Sequence, residues 1–184
     1  REVNHLLASV FEQIALAVAN NRGTLLEFIG DEVLAVFNTP NAVRSHSHCG
    51  VNCALDVHKH VSTLPALTTQ DGRKITIRCR CGVHTACILA GNIGSDRRMK
   101  YGLLGDGVNL TARLKGLNSR FNTQTIASEK VALDELSARR AVFRPLDRVI
   151  VKGKTEPTTV YEVLCVVNRT EVATKIRQAA QKHA

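Results

Sequence analysis

Two short apolar runs joined by a turn constrain the fold of this chain more than any other feature. They are TLLEFI at residues 24–29 and EVLAVF at residues 32–37, and Gly30-Asp31 lies between them. Glycine tolerates the backbone angles that a tight two-residue turn requires. The pattern predicts a β-hairpin with Asp31 at its tip and raises the question of why Glu27 and Asp31 interrupt an apolar stretch.

Helical spacing of apolar residues predicts the helices that flank this hairpin. We expect a first helix from Val3 to Ala19, ended by Gly23 as a left-handed cap, and a second helix within residues 42–61. A third helix is predicted from Asp106, with that aspartate as the N-cap, and a fourth is predicted after a Ser128 cap.

Further strand-like runs separate these helices. We expect a strand from Lys74 to Thr85, a glycine-rich hairpin over CILAGNIGSDRRMKYGLL, and strands at QTIA, AVFRPLDRVIV and TTVYEVLCVV. Helices and strands alternate irregularly with hairpins, which predicts an α+β sandwich with helices covering a mostly antiparallel sheet. We place this domain at residues 1–167 and a C-terminal helical tail at residues 168–184.

Length and charge narrow the class of protein. The 184 residues suit one domain, and no apolar run reaches the roughly 20 residues that cross a bilayer. The net charge of +9 favours an anionic partner, and seven aromatic residues without tryptophan favour a nucleotide over a nucleic acid. Because the chain begins at Arg1 within a helix, we expect a fragment of a larger protein, with any membrane contact made outside this chain.

The six cysteines form no CxxC pair, so we expect reduced thiols and a cytoplasmic location. Strand alternation would put Cys79 and Cys81 on an apolar face as small core residues. An alternative is a zinc site in HSHCGVNC, formed by His46, His48, Cys49 and Cys53.

Three further groups of polar residues suit phosphate chemistry. Asp31, held on a hairpin tip, could bind a divalent cation, although aspartate is also common in turns. Asn109 and Arg113 are four residues apart and share a helix face, where they could reach an anion or a sugar or form a solvated surface. Lys152 and Lys154 flank a glycine and could grip a triphosphate or form a basic turn.

Four segments together resemble the class III nucleotide cyclase catalytic domains: FIGDEVLAVF, GVHTACILAGNIGS, RRMKYGLLGDGVNLTARL and VKGKTEPTTVYEV. The resemblance implies a ferredoxin-like sandwich that works as a head-to-tail dimer with active sites at the interface. Because both half-sites occur in one sequence, we expect a homodimer, with a heterodimer as the alternative. It also implies two Mg²⁺ or Mn²⁺ ions per site, with Asp31 as one of two metal aspartates. Asn109 and Arg113 match the ribose-orienting and transition-state residues, and Lys152 matches the triphosphate-binding lysine.

Base choice in the resembled family depends largely on the positions of Glu27 and Gly102. Guanylate cyclases usually have glutamate at the first position, and one carboxylate can accept both adjacent donors of guanine. Gly102 has no side chain to support either base. We therefore predict conversion of GTP to 3′,5′-cyclic GMP and pyrophosphate, with adenylate cyclase activity on ATP as the alternative.

One departure from the family pattern concerns the metal site. The family's other metal aspartate lies in a strand before the first helix, in a pattern like FxDxxGFT, and the sequence begins after that strand. We expect the 184 residues alone to have little activity. A second alternative is a regulatory or dimerisation module that contributes half a site to a partner chain.

Overall fold

The computed structural model describes residues 2–68, 71–95, 97–151 and 156–167, with side chains from His5 onward. Its helices are α1 (Glu2–Asn20), α2 (His46–Val61), α3 (Asp106–Phe121), α4 (Glu129–Ala132) and α5 (Glu135–Arg140). Its strands are β1 (Gly23–Ile29), β2 (Glu32–Phe37), β3 (Leu67–Thr68), β4 (Lys74–Ile75), β5 (Cys81–Val83), β6 (Leu89–Ser95), β7 (Arg98–Leu104), β8 (Thr125–Ser128), β9 (Ala141–Val149) and β10 (Thr158–Val166). The predicted tail at residues 168–184 lies outside the described part of the chain.

The main sheet has four strands in the order β5-β8-β10-β9. Strand β10 is antiparallel to both of its neighbours, whereas β5 and β8 are parallel. Three antiparallel two-stranded units accompany this sheet: β1 with β2, β3 with β4, and β6 with β7. The predicted α+β class and the mostly antiparallel pairing are confirmed, with one parallel pair added.

Both faces of the main sheet are covered by helices. On one side Leu110 and Leu114 of α3 pack in a cluster with Ile126 of β8 and Val160 of β10. On the other side Val51 of α2 and Val131 of α4 belong to a second cluster, together with the buried Ala127, Ala141 and Val163. Since neighbouring residues Ile126 and Ala127 belong to different clusters, β8 is buried on both faces.

A third apolar cluster joins α1 to α2 and the first hairpin. Val18 and Cys53 are buried in it, and Cys79 and Cys81 pack against it as predicted. Burial raises the pKa of the Cys53 thiol to about 12 and also raises the pKa of Cys79. These thiols therefore stay protonated and serve as small core side chains.

The continuous strand predicted from Lys74 to Thr85 is wrong. The structure has β4 and β5 instead, and residues 76–80 between them lie in no strand. Side chains still alternate there, since Ile77 and Cys79 pack against the core while Arg78 and Arg80 are exposed. The alternation of apolar and polar residues therefore predicted correctly which side chains between residues 76 and 80 pack against the core. It did not predict the absence of a strand there, because ladder hydrogen bonds need a neighbouring strand that the sequence does not specify.

Two of the predicted caps are also wrong. The left-handed residue after α1 is Arg22, at φ 59°, and Gly23 instead begins β1. A Cβ on Gly23 would come within 2.6 Å of the Phe37 ring, so close packing requires glycine there. Gly105, not Asp106, is the residue at the N-cap of α3.

The helix predicted after Ser128 is divided into two. Ser128 lies at the N-cap of α4, as predicted, but its side chain makes no capping hydrogen bond. Asp134 then caps α5, where its carboxylate accepts a hydrogen bond of 3.0 Å from the Ser137 backbone N–H. Helix α4 ends at Ala132, so the Asp134 cap begins a separate helix.

Candidate active site

The β1–β2 hairpin holds Asp31 at its tip, as predicted. Ile29 pairs with Glu32, so Gly30 and Asp31 form a two-residue turn. Gly30 has φ +64°, the conformation that favours glycine at the first central position of a type II′ turn. The Asp31 side chain is exposed, and it has no hydrogen-bond or ion-pair partner within the described residues. Its carboxylate is therefore available to a ligand.

Helix α3 carries the predicted pair Asn109 and Arg113. Asn109 is exposed, whereas Arg113 is half-buried. The Nη1 atom of Arg113 is buried and has no hydrogen-bond partner among the described residues. Burying a guanidinium donor without an acceptor costs free energy, and a hydrogen bond to an anionic group would offset that cost.

Strand β5 fixes the position of α3 through a close backbone contact. A Cβ on Gly82 would lie 2.4 Å from the Thr111 carbonyl oxygen and 2.6 Å from the Lys115 backbone nitrogen. The side chain of Asn118 adds a second tie, because its Nδ2 donates to the Cys81 carbonyl at 2.8 Å. The helix that bears Asn109 and Arg113 thus lies directly on the main sheet.

The predicted base-selecting residue Glu27 lies beside a lysine that the sequence analysis missed. Lys100 Nζ donates to Glu27 Oε1 at 2.8 Å, and the side chains of Lys100 and Glu27 are 65% and 44% exposed. The hydroxyls of Tyr101 and Thr39 share a hydrogen bond of 2.5 Å nearby. Only the contact between distant segments reveals Lys100, since 73 residues separate it from Glu27.

A small cavity of about 440 Å³ lies at this pair, within the size range of small-molecule sites. Its lining includes Leu25, Glu27, Pro40, Lys100 and Tyr101. Gly102, the other predicted base-selecting residue, is two residues beyond Lys100 on β7 and is buried. It pairs with Gly91, and a Cβ there would be 3.0 Å from Ile93 Cδ1.

A larger groove of about 2030 Å³ contains Asp31 and Asn109. Strand β2 and residues 76–90 both line it. Among described residues β2 pairs only with β1, and β5 pairs only with β8, so two unpaired strand edges border this groove. The structure brings Asp31 and Asn109 to the groove and Glu27 to the smaller cavity. The predicted Lys152, with Lys154, lies outside the described residues.

Lys115 is a second residue that the sequence analysis missed. Its ammonium forms an ion pair with the carboxylate of Glu32, the residue that follows Asp31. The pair joins the hairpin tip to α3 across 83 residues of sequence. Both side chains also line the large groove.

The zinc alternative is not supported by the structure. Within the ranges that the structure describes, no three His, Cys, Asp or Glu side chains converge to hold a metal ion. His46 contacts the Val43 carbonyl and Thr85 Oγ1, and His48 contacts Asn52. Helix α2 therefore uses its histidines for packing and hydrogen bonds.

Comparison with known proteins identifies the family. The family model described as the adenylate and guanylate cyclase catalytic domain matches residues 1–163. The chain belongs to this family. The cyclase domain is also similar to Adenylate cyclase 1 of Rhizobium meliloti (strain 1021), with 33% identity over 176 residues. That alignment covers 94% of this chain and 26% of the relative.

Two other curated relatives are more distant. The adenylate cyclase of Anabaena cylindrica is 25% identical over 164 residues, which cover 88% of this chain and 32% of that protein. The terminal-differentiation specific adenylate cyclase of Dictyostelium discoideum is 26% identical over 154 residues, covering 80% of this chain and 7% of that protein. The cyclase domain thus spans a third or less of the length of these relatives.

Solved structures confirm the fold. The adenylyl cyclase CyaB from P. aeruginosa matches with a TM-score of 0.75 at 24% identity, covering 89% of this chain and 82% of that one. The guanylate cyclase domain of RhGC from Catenaria anguillulae, in complex with GTP, matches with a TM-score of 0.69 at 24% identity, covering 88% and 82%. The predicted α+β cyclase fold is therefore correct.

The residues present fit one metal-binding position of the kind this family generally uses. Asp31 offers an exposed carboxylate, the ligand that Mg²⁺ and Mn²⁺ prefer. Glu32 beside it is engaged by Lys115. In the described ranges Asp31 belongs to no group of three or more His, Cys, Asp or Glu side chains that could hold a metal ion. No described helix is long and apolar enough to cross a membrane.

Proposed function

We propose that this cyclase domain converts a purine nucleoside triphosphate into its 3′,5′-cyclic monophosphate and pyrophosphate, with GTP as the preferred substrate. The observation that carries the proposal is the buried, unpartnered Nη1 of Arg113, four residues after the exposed Asn109. An anionic phosphoryl group would satisfy this donor. The family and the order of its motifs along the chain support the same assignment.

The reaction forms a bond between the ribose 3′-oxygen and the α-phosphorus and breaks the bond to the pyrophosphate leaving group. The 3′-hydroxyl proton is lost to solvent. Arg113 would donate to the α-phosphoryl oxygens, where negative charge grows in the transition state. Asn109, one helical turn away on the same face, would hydrogen-bond and orient the ribose.

Asp31 would hold a divalent cation against the phosphates. When bound, Mg²⁺ or Mn²⁺ lowers the pKa of the nucleophile and neutralises charge on the phosphates. We propose two ions per site and a second carboxylate from an upstream strand seated in the groove between β2 and β5. The unpaired edges that border this groove suit a strand. Activity should then need that strand.

Glu27 supports GTP as the preferred substrate. Its carboxylate faces the 440 Å³ cavity and could accept from the N1–H and N2–H₂ donors of guanine. Lys100 would hold that carboxylate in position through the ion pair. A site built for two hydrogen bonds penalises a base that leaves them unmade.

A specific observation favours ATP as the second candidate. Lys100 already occupies Glu27 Oε1, and its ammonium could instead donate to the N1 lone pair of adenine. The Rhizobium, Anabaena and Dictyostelium relatives are all named adenylate cyclases. Glu27 would then stabilise Lys100 rather than read the base.

We further propose that the active unit is a head-to-tail homodimer. The β6–β7 hairpin exposes Leu89 at 68%, Met99 at 62% and Leu104 at 52%, which is apolar area suited to a partner. Each subunit would give Asp31 to one site and Glu27, Asn109, Arg113 and Lys152 to the other. Lys152 would bind the triphosphate, as predicted from the sequence.

The test is a competition assay on the full-length protein, because the proposed catalytic unit would include a strand upstream of residue 1. Equal GTP and ATP are supplied with Mg²⁺ or Mn²⁺, and mass spectrometry quantifies both cyclic products. Dominant cyclic GMP supports GTP as the preferred substrate. Dominant cyclic AMP would instead assign ATP as the substrate and leave the mechanism unchanged. Neither product, from a protein that still dimerises, would support the regulatory-module alternative. Asn109→Ala serves as the inactive control.

A further inference from the structure

The ion pair between Lys115 and Glu32 is one of the long-range contacts of the hairpin tip. Lys115 lies on α3, two residues after Arg113, and Glu32 directly follows Asp31. Their side chains are 34% and 44% exposed, so the pair is only partly open to solvent. It therefore joins the segment that carries the metal carboxylate to the helix that carries Asn109 and Arg113.

Apart from the Phe28 ring, whose centroid lies 4.6 Å from that of Phe11 on α1, the remainder of the tip is thinly packed. Ile29 is 54% exposed and Phe28 is 48% exposed. A Cβ added at Gly30 would meet nothing within 4 Å. In the described chain β1 and β2 share ladder hydrogen bonds only with each other. The direction in which the turn points is consequently sensitive to the single charged contact that Glu32 makes.

The same pair also separates two neighbouring carboxylates by role. Glu32 is neutralised by the Lys115 ammonium, while Asp31 has no ionic partner among the described residues. Without Lys115, Glu32 would be a free carboxylate next to Asp31 and could draw a cation away from the geometry that Asp31 offers. The lysine thus affects both the position of the tip and which oxygen meets the metal.

We propose that Lys115 is a positioning residue for Asp31: by pairing with Glu32 it anchors the hairpin tip to α3 and reserves the Asp31 carboxylate for the metal ion. The inference rests on the proposed function, since it assigns Asp31 to metal. Lys115 itself touches neither substrate nor metal. Its contribution is the fixed relation between the tip and the helix.

The experiment compares four variants of the full-length protein with the wild type. Lys115→Met removes the ammonium and keeps the alkyl stem, and Glu32→Gln removes the carboxylate charge. The double variant Glu32→Lys/Lys115→Glu reverses the pair. Lys130→Met, on an exposed lysine of α4, is the matched control.

Two readouts are used for each variant. Hydrogen exchange measures the amides of residues 30–33 with and without Mn²⁺, and gives the Mn²⁺ concentration that half-protects them. Cyclase assays give the half-saturating metal concentration, together with the kcat and the KM for nucleotide. We expect both single variants to exchange about two- to fivefold faster at the tip, the range for a partly exposed ion pair.

The Mn²⁺ midpoint should rise by a similar factor in both single variants, while the KM for nucleotide at saturating metal stays unchanged. The reversed pair should restore both quantities, and Lys130→Met should match the wild type. Unchanged exchange in the single variants, or faster exchange with an unchanged Mn²⁺ midpoint, would overturn the inference. A wild type that makes no cyclic nucleotide would overturn the proposed function instead. The Mn²⁺ concentration that half-protects residues 30–33 would still test the positioning role of Lys115.

Discussion

The main sheet and the β1–β2 hairpin differ in how completely their side chains are buried by the described residues. Ile126, Ala127 and Val160 of the sheet have no exposed surface, and helices cover both of its faces. The hairpin instead exposes Asp31 to solvent and leaves the Glu27 side chain 44% exposed. The core of the sheet is completed by described residues, whereas Asp31 at the hairpin tip has no hydrogen-bond or ion-pair partner among them. Stability and activity should therefore respond to different substitutions.

The largest effect is expected from truncating the sheet core. Ile126→Ala removes a fully buried side chain from β8 and should lower the free energy of unfolding by about 2–5 kcal/mol. Ile150→Ala is the matched control, because Ile150 is 65% exposed, and it should change stability by less than about 0.5 kcal/mol. Urea denaturation measures both. Equal losses in the two variants would contradict the contrast between framework and surface.

The next effect concerns activity rather than stability. Arg113→Ala should lower kcat about 10²- to 10³-fold, the usual result of removing one transition-state donor. Its unfolding free energy should change little, since Nη1 makes no hydrogen bond within the described chain. Arg120→Ala, an exposed arginine near the end of the same helix, is the control. A large stability loss with normal kcat would assign Arg113 to the framework.

A smaller effect tests whether the packing of α3 on the main sheet positions the site residues that α3 carries. Gly82→Ala places a methyl group against the α3 backbone at Thr111 and should cost about 1–3 kcal/mol by overpacking. It should also reduce kcat, because α3 carries Asn109 and Arg113. Gly116→Ala, where an added Cβ meets nothing, should stabilise by about 0.5–1 kcal/mol. Thermal denaturation and the cyclase assay would show whether the two glycines differ as expected.

The smallest effect is a dependence on pH. Burial lowers the pKa of His58 below its usual 6.5, and His58 Nε2 lies 2.6 Å from Thr125 Oγ1 of the sheet. The unfolded chain then binds more protons below pH 6.5, so stability falls as pH drops through that value. His48, whose pKa burial and Arg140 also lower, contributes in the same direction. His58→Gln should flatten this fall, which denaturation midpoints between pH 7.5 and pH 5 would measure. Identical slopes would contradict it.

Local patterns predicted the elements of this fold well. The periodicity of α1, the Gly30-Asp31 turn and the glycine-rich β6–β7 hairpin depend on residues close in sequence, and all three are present. The strand predicted across Lys74 to Thr85 failed because a ladder needs a neighbour, and β5 finds β8 only over Cys81–Val83. Strand pairing also decides the end of α1. Gly23 belongs to β1, so Arg22 rather than Gly23 has the left-handed conformation after the helix.

The site was predictable to a similar extent. Motif resemblance predicted Asp31, Asn109 and Glu27 as site residues, and the structure brings the first two to one groove and Glu27 to a separate cavity. It gave no sign of Lys100 or Lys115, since each is defined by an ion pair across more than 70 residues. The sequence around a lysine does not show which carboxylate the lysine pairs with in the folded chain.

The order of strands in the main sheet also bears on how the protein is made. Strand β10, the last described strand in sequence, lies at the centre between β8 and β9. Until Thr158–Val166 has left the ribosome, neither neighbour has its antiparallel partner. Ile126 and Ala141 remain without part of their cover during that interval, in the kind of partly folded state that invites aggregation. The core of the described residues is complete only once Thr158–Val166 has been synthesised.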